Sequence, residues 1–355
     1  MKTICNTLKA TLLVVLTFSL LSFTLEPSFN TDYENDAAAQ KLTSREFTAD
    51  NNTTLQVSNS YGNIKIMPWN QEKVKVDVYV IYDKNIRDTK DYQQKSFKVE
   101  MAQNGNSISI NTKHTTSRIK HTINYVIYTP STTQCLITNK YGDIVLGNLS
   151  GFISANLAYG NMFAENLSFG NGQKANELKL SYGDATIKSA AWFNTTIAYG
   201  SLKLGECYAI GLNSAYSDVK INAAKFINTS ASYSDVNLGT VNSIKGKLTH
   251  TDLKADKLND NILLSVAYSD VVLNTISKTF KNIDIQGMYT DGKITFESAS
   301  EFKLEGISKY SGFKLYNLGN GSQNIEGSFT RTIGTNPSRN VKIDMQYGDW
   351  LITRN

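Results

Sequence analysis

The chain has 355 residues, with 23 glycines, 19 tyrosines and only 4 prolines, a composition that favours many short strands joined by turns and largely excludes helix beyond the N-terminus. Its formal charge is +5, and removing residues 1–25 takes away Lys2 and Lys9 and no acid, which turns +5 into +3. The charges are interspersed and the excess is too small to imply a nucleic-acid partner.

Lys2 and Lys9 precede an uncharged, apolar-biased run from Ala10 to Leu25, the order of a secretory signal. The run falls short of the about 20 residues that a bilayer-crossing helix needs. Residues 1–25 therefore read as a cleaved signal peptide. The mature chain is expected in the periplasm, at the outer cell surface or outside the cell, without a transmembrane span. Cys5 precedes the apolar run, so the acylated-cysteine arrangement of a lipoprotein is absent. Residues 26–44 are polar and aperiodic, and read as a flexible lead-in.

Residues 45–134 form an N-terminal β region. Lys73–Asp83, Ser107–Lys113 and Thr122–Thr129 alternate as strands with one buried face, and Pro130 ends the last. Leu55, Val57 and Asn59 lead into Tyr61-Gly62-Asn63, followed by Ile64 and Ile66. This looks like a first coil, with 67–134 an antiparallel insertion that caps an open end.

From residue 135 the chain repeats. Tyr-(Gly/Ser/Thr)-(Asp/Asn), with degenerate third positions, recurs at Tyr141, Tyr159, Tyr182, Tyr199, Tyr216, Tyr233, Tyr268, Tyr289, Tyr310 and Tyr347, and His250 takes the missing place. The intervals to Tyr310 are 18, 23, 17, 17, 17, 17, 18, 21 and 21, and the last gap of 37 fits two coils. Counting back in twos from Tyr216 gives Ser214, Leu212 and Ile210, which puts the tyrosine on the apolar face. Beyond it the apolar pairs, such as Val219 and Ile221, fall three and five residues on. A flat strand cannot hold both sets inside, so the small-residue and Asp/Asn pair reads as a corner. Strand, corner, strand and loop at this period predict an all-β fold: a parallel β-helix, or solenoid, of about twelve coils over 135–355.

These residues resemble the bacterial putative-adhesin β-helix family, which includes the head-GIN and auto-transporter-adhesin-head-like domains. The likeness rests on Leu55–Trp69, the charged strand Lys73–Val80, Ile123–Pro130 and Lys140–Leu146, and spans about Phe47 to the end. It implies a cell-envelope or secreted β-helix, with no catalytic residue to carry over.

The tyrosines and His250 read as a structural ladder, turned inward or at the corner, with rings about 4.8 Å apart. The alternative is an exposed aromatic strip for glycans. Asp143, Asp184, Asp218, Asp235, Asp252, Asp270, Asp291 and Asp349 form a corner ladder, whose like charges make calcium conceivable. The calcium-binding glycine-rich nonapeptide is missing and Asn161, Ser201 and Gly312 share the row, so turn formation is the expected role and no metal or cofactor is expected. His114, His121 and His250 have no zinc spacing, and no Ser–His–Asp arrangement or phosphate loop is present. The functional expectation is an exported adhesin or structural and binding scaffold without catalytic activity, its partner unread and open to a surface glycan or an envelope protein. The alternative is a polysaccharide-active enzyme or a calcium-dependent carbohydrate-binding module, distinguished by carboxylates and a basic residue converging in a groove.

Overall fold

The computed structural model describes residue 33 and residues 36–319, 321–335 and 337–355. The expected leader, Cys5 and the first part of the lead-in lie outside the described residues. Among the described residues the chain is all-β apart from one helix, Thr89–Ser96, capped by the Asp88 side chain on the Asp91 N–H.

Each tyrosine-bearing repeat sends the same sets of side chains inward. In one repeat these are Ile210 and Leu212 before Tyr216, Val219 and Ile221 after it, and Ala224 further on, all buried. The last position continues at 17-residue steps through Ala190, Cys207, Ala224, Val241 and Leu258, again all buried. One contiguous core therefore runs from Phe47 to Ile352, with about 1.5–3 kcal/mol from each fully buried aliphatic side chain. Neighbouring repeats pair in parallel: Ala155 faces Ile137 on one side and Leu178 on the other. The residues from Lys174 to Ala267 keep their strand pairing without interruption, corners included.

The first repeat is flanked on both sides. Thr54–Ser60 runs parallel to Ser107–His114 and to Gln134–Lys140, and Ile64–Pro68 runs parallel to His121–Thr129 and to Ile144–Leu146. Antiparallel strands lie beyond: Phe97–Asn104 on Ser107–His114, and Lys73–Tyr82 on His121–Thr129. A further strand, Ala39–Thr48, pairs antiparallel with Lys73–Tyr82, so the lead-in expected to be flexible to residue 44 is ordered from Ala39. The strand is mostly exposed and lacks apolar alternation. Its hold is polar: Asp77, fully buried, receives Lys41 at 2.9 Å, Lys75 at 3.1 Å and the Ser44 hydroxyl. Burial alone would push the Asp77 carboxyl up, but the hydrogen bonds from Ser44, Lys41 and Lys75 outweigh it and hold it below the usual carboxylate range.

The other end departs from expectation. The 37-residue interval from Tyr310 to Tyr347 contains two antiparallel strands, Gln323–Glu326 on Gly312–Leu315 and Phe329–Ile333 on Phe302–Gly306, where a further tyrosine-type repeat was expected. The final strand, Asn340–Arg354, then lies out of sequence order. It pairs in parallel with Asn282–Met288 and Gly292–Phe296 on one side and with Phe302–Tyr316 on the other.

Candidate functional site

The residue that turns each corner is the tyrosine. Tyr61, every tyrosine of the repeat series and His250 lie at φ between 50° and 60°, the left-handed region that bulky side chains rarely enter. Their N–H groups still pair across repeats, Tyr141 to the Ala158 carbonyl at 3.0 Å and Tyr268 to that of Met288 at 3.0 Å. The left-handed residue breaks the two-residue alternation one position earlier than the sequence pattern suggests, and the ring swings out. Tyr216 and Tyr233 are each 51% exposed, and Tyr310 is 70% exposed. Of the two placements expected for the ladder, inward or at the corner, the rings take the corner and the inward one is corrected; counting in twos holds only while the backbone stays extended.

The rings stack in the order Tyr61, Tyr141, Tyr159, Tyr182, Tyr199, Tyr216, Tyr233, His250, Tyr268, Tyr289, Tyr347, Tyr310, with centroids 4.7–5.1 Å apart. From Tyr159 to Tyr347 the rings are within 8° of parallel. His114 meets the first ring edge-on at 5.5 Å. A left-handed non-glycine residue costs about 1–2 kcal/mol, and an aromatic pair returns about 0.5–1.5 kcal/mol. The two nearly cancel, so backbone preference does not explain the tyrosine. The stack also covers its own ring faces. What it shows to solvent is a row of edges and hydroxyls.

The small residue after each tyrosine sits where repeats approach most closely. A Cβ at Gly183 would run into the Gly160 carbonyl oxygen, and one at Gly200 into that of Gly183. Further along, buried hydroxyls fill this place. Ser234 Oγ accepts from the Ser217 N–H at 3.3 Å and donates to the Ser232 carbonyl at 2.9 Å, and Thr251 Oγ1 repeats the pattern with the Ser234 N–H at 3.3 Å and the Thr249 carbonyl at 3.0 Å.

The third position forms the carboxylate row, and most of its members are already engaged. Asp143 accepts from the Asn161 N–H at 2.7 Å, Asp252 from that of Asp270 at 2.8 Å, Asp291 from that of Asp349 at 2.7 Å, and Asp349 from that of Gly312 at 3.0 Å. Asp184 accepts from the Ser201 hydroxyl at 2.7 Å. Burial pushes the Asp270 carboxyl up, the charges of Asp252 and Asp291 push it further, and the Asp291 N–H partly opposes them. Asp218 and Asp235 join Asp252 along a shallow depression beside Tyr216, Tyr233 and His250. Among the described residues no group of three His, Cys, Asp or Glu is placed to hold a metal ion.

A groove of about 690 Å³ gathers Asp270, Asp291 and Asp349 with Lys293, Lys314 and Glu326 beside the Gln323–Glu326 strand. A second aromatic series, absent from the sequence reading, occupies another edge of the repeats. Phe152 meets Phe169 at 5.5 Å, Trp192 meets Tyr208 at 5.0 Å, and Tyr208 meets Phe226 at 5.7 Å, with interplanar angles of 63°, 44° and 66°. Beside it lies a groove of about 550 Å³. The signal was present: Phe152, Trp192 and Phe226 each immediately precede a buried residue, Ile153, Phe193 and Ile227, which turns the aromatic outward.

The fold and these rows define an all-β protein with repeated parallel strands and outward aromatic rows. No family model matches the sequence, and no curated protein matches it. The chain is similar to solved structures of a putative adhesin from Parabacteroides distasonis (14% identity, 72% of this chain and 95% of that one, TM-score 0.34). It is also similar to a putative adhesin from Bacteroides fragilis (12%, 90% and 98%, TM-score 0.27) and a putative cell adhesion protein from Clostridium sporogenes (9%, 89% and 100%, TM-score 0.17).

Proposed function

We propose that the tyrosine-bearing repeats are successive coils of a parallel β-helix, and that the protein is an exported, non-catalytic scaffold that displays a binding face at the cell envelope or outside the cell. The observation that carries this reading is the use of the corner carboxylates: most of them accept hydrogen bonds from the next repeat, so they serve the stack and leave the outward aromatic rows as the distinctive surface. The same bonds weigh against the polysaccharide-active alternative, since Asp291 and Asp349 in the groove of about 690 Å³ are committed to backbone N–H groups. Export is supported by Lys2, Lys9 and the apolar run that follows, and among the described residues no helix is long and apolar enough to cross a membrane. Fractionation with protease shaving of intact cells tests the reading. Mature chain beginning after residue 20 should be recovered outside the cytoplasm, and full-length chain confined to the cytosol would contradict it.

A further inference from the structure

We infer that the groove beside Trp192 and Phe226 is a binding site for an acidic polysaccharide, a pyranose chain carrying carboxylates; this names the ligand class of the display face proposed above and rests on that reading. The tyrosine stack cannot do this work, because ring faces within it are covered by the next ring at about 5 Å, and sugars stack on faces; Tyr310 at the end is a single ring with Lys309 over it. In the second series the rings are inclined at 44–66°, so they do not shield one another in the same way. Phe226 is 42% exposed and Leu263 44% exposed. Together with Trp192 they line a groove of about 550 Å³, within the usual range of a ligand site.

The groove has a structural cause. The Gly170–Asn171 and Lys174–Ala175 pairing projects a short hairpin whose Gly170 packs so tightly on Trp192 that a Cβ there would strike the Trp192 Cβ. Ala209 and Gly211 keep the floor low between the Trp192 and Phe226 walls. Asn194 and Asn228 stand two repeats apart, with Gly211 at the equivalent place between them, and line both this groove and its 490 Å³ continuation. Lys174 and Lys245 are the charged residues that line the aromatic part, and no acidic residue joins them there. Apolar ring edges and faces for the sugar C–H surface, amides for hydroxyls and two unopposed ammonium groups together fit an acidic sugar better than a neutral one or an acidic peptide. The continuation carries Glu177 with Lys179 and the depression around Tyr208 carries Glu206 with Lys225, so lysines without an accompanying acid are confined to the aromatic groove.

Affinity electrophoresis and calorimetry of the mature chain with polygalacturonate, with its carboxyl-reduced polymer and with dextran sulfate provide the test. Wild type should bind polygalacturonate and bind the reduced polymer at least about tenfold more weakly. Phe226→Ala and the pair Lys174→Gln, Lys245→Gln should each lower polygalacturonate affinity about tenfold or more, while Lys254→Gln, on the tyrosine-corner side, leaves it unchanged. Phe226 is exposed, so its variant should keep the wild-type melting temperature, which separates lost binding from lost folding. Absence of polygalacturonate binding, equal binding of the reduced polymer, or binding that follows dextran sulfate and ignores Phe226→Ala would each overturn the assignment. A chain found at the cell surface without this binding refutes the groove alone; a cytosolic chain that binds refutes the display reading alone.

Discussion

At the scale of the residue, the decisive feature is a tyrosine in a backbone conformation that suits glycine. Tyr233 lies between Tyr216 at 4.9 Å and His250 at 4.8 Å with φ at 51°. Tyr233→Ala removes two stacking contacts and keeps the left-handed strain, for an expected loss of about 1–3 kcal/mol. That is below the about 3–5 kcal/mol of an enclosed aromatic. Tyr233→Gly loses the same contacts but releases the strain, so it should be more stable than the alanine variant by about 0.5–1 kcal/mol. Urea titration of the pair checks this; an alanine variant at least as stable as the glycine one would contradict the corner geometry. The tyrosine spacing was legible because regular intervals survive any local conformation. The ring direction was not, because nothing in the letters Ala-Tyr-Ser-Asp distinguishes an extended tyrosine from a left-handed one.

At the scale of the element, the strands around the first repeat are joined through a buried imidazole. His121 begins the strand His121–Thr129 and packs on Phe97 at 4.4 Å, with Tyr92 Oη 3.1 Å from Nδ1 and His114 Nδ1 3.3 Å from Nε2. Burial, and then the proximity of His114, lowers its pKa to about 4. The folded value lies below the ordinary 6.5, so the unfolded chain binds the extra proton first. Stability is then fully present above about pH 6.5 and is lost as pH falls toward 4, by about 1–3 kcal/mol. Denaturation midpoints across that window should fall more steeply for wild type than for His121→Gln, and equal slopes would contradict the account. Alternation made the strands Lys73–Tyr82 and His121–Thr129 legible. Ala39–Thr48 was not, since an edge strand held by Lys41 and Ser44 on Asp77 has no buried stripe to show. The order of Asn340–Arg354 was hidden for another reason: equal repeats carry the same face pattern, so the spacing of Tyr310 and Tyr347 cannot say which lies beside Tyr289.

At the scale of the whole molecule, repeats that lie directly upon one another are what let the tyrosines stack, the carboxylates meet the next backbone and the walls of the Trp192 groove face each other. Thr138 and Ser265 are exposed members of one outward row: Thr138 pairs with Asn156, Asn156 with Lys179, and Ser265 with Gln286. The intervening positions Thr196, Asn213, Ser230 and Lys247 follow at 17-residue steps. In chain lacking residues 1–25, and with them Cys5, nitroxides at Thr138→Cys and Ser265→Cys label the row selectively, because Cys135 and Cys207 are buried free cysteines whose thiols burial pushes up to about 12. Seven strand spacings separate the two labels, about 34 Å along the stack. Pulsed dipolar spectroscopy should give one narrow distribution centred near that distance, and a broad distribution or a mean displaced by more than about two strand spacings would contradict the stacking on which the proposed function depends.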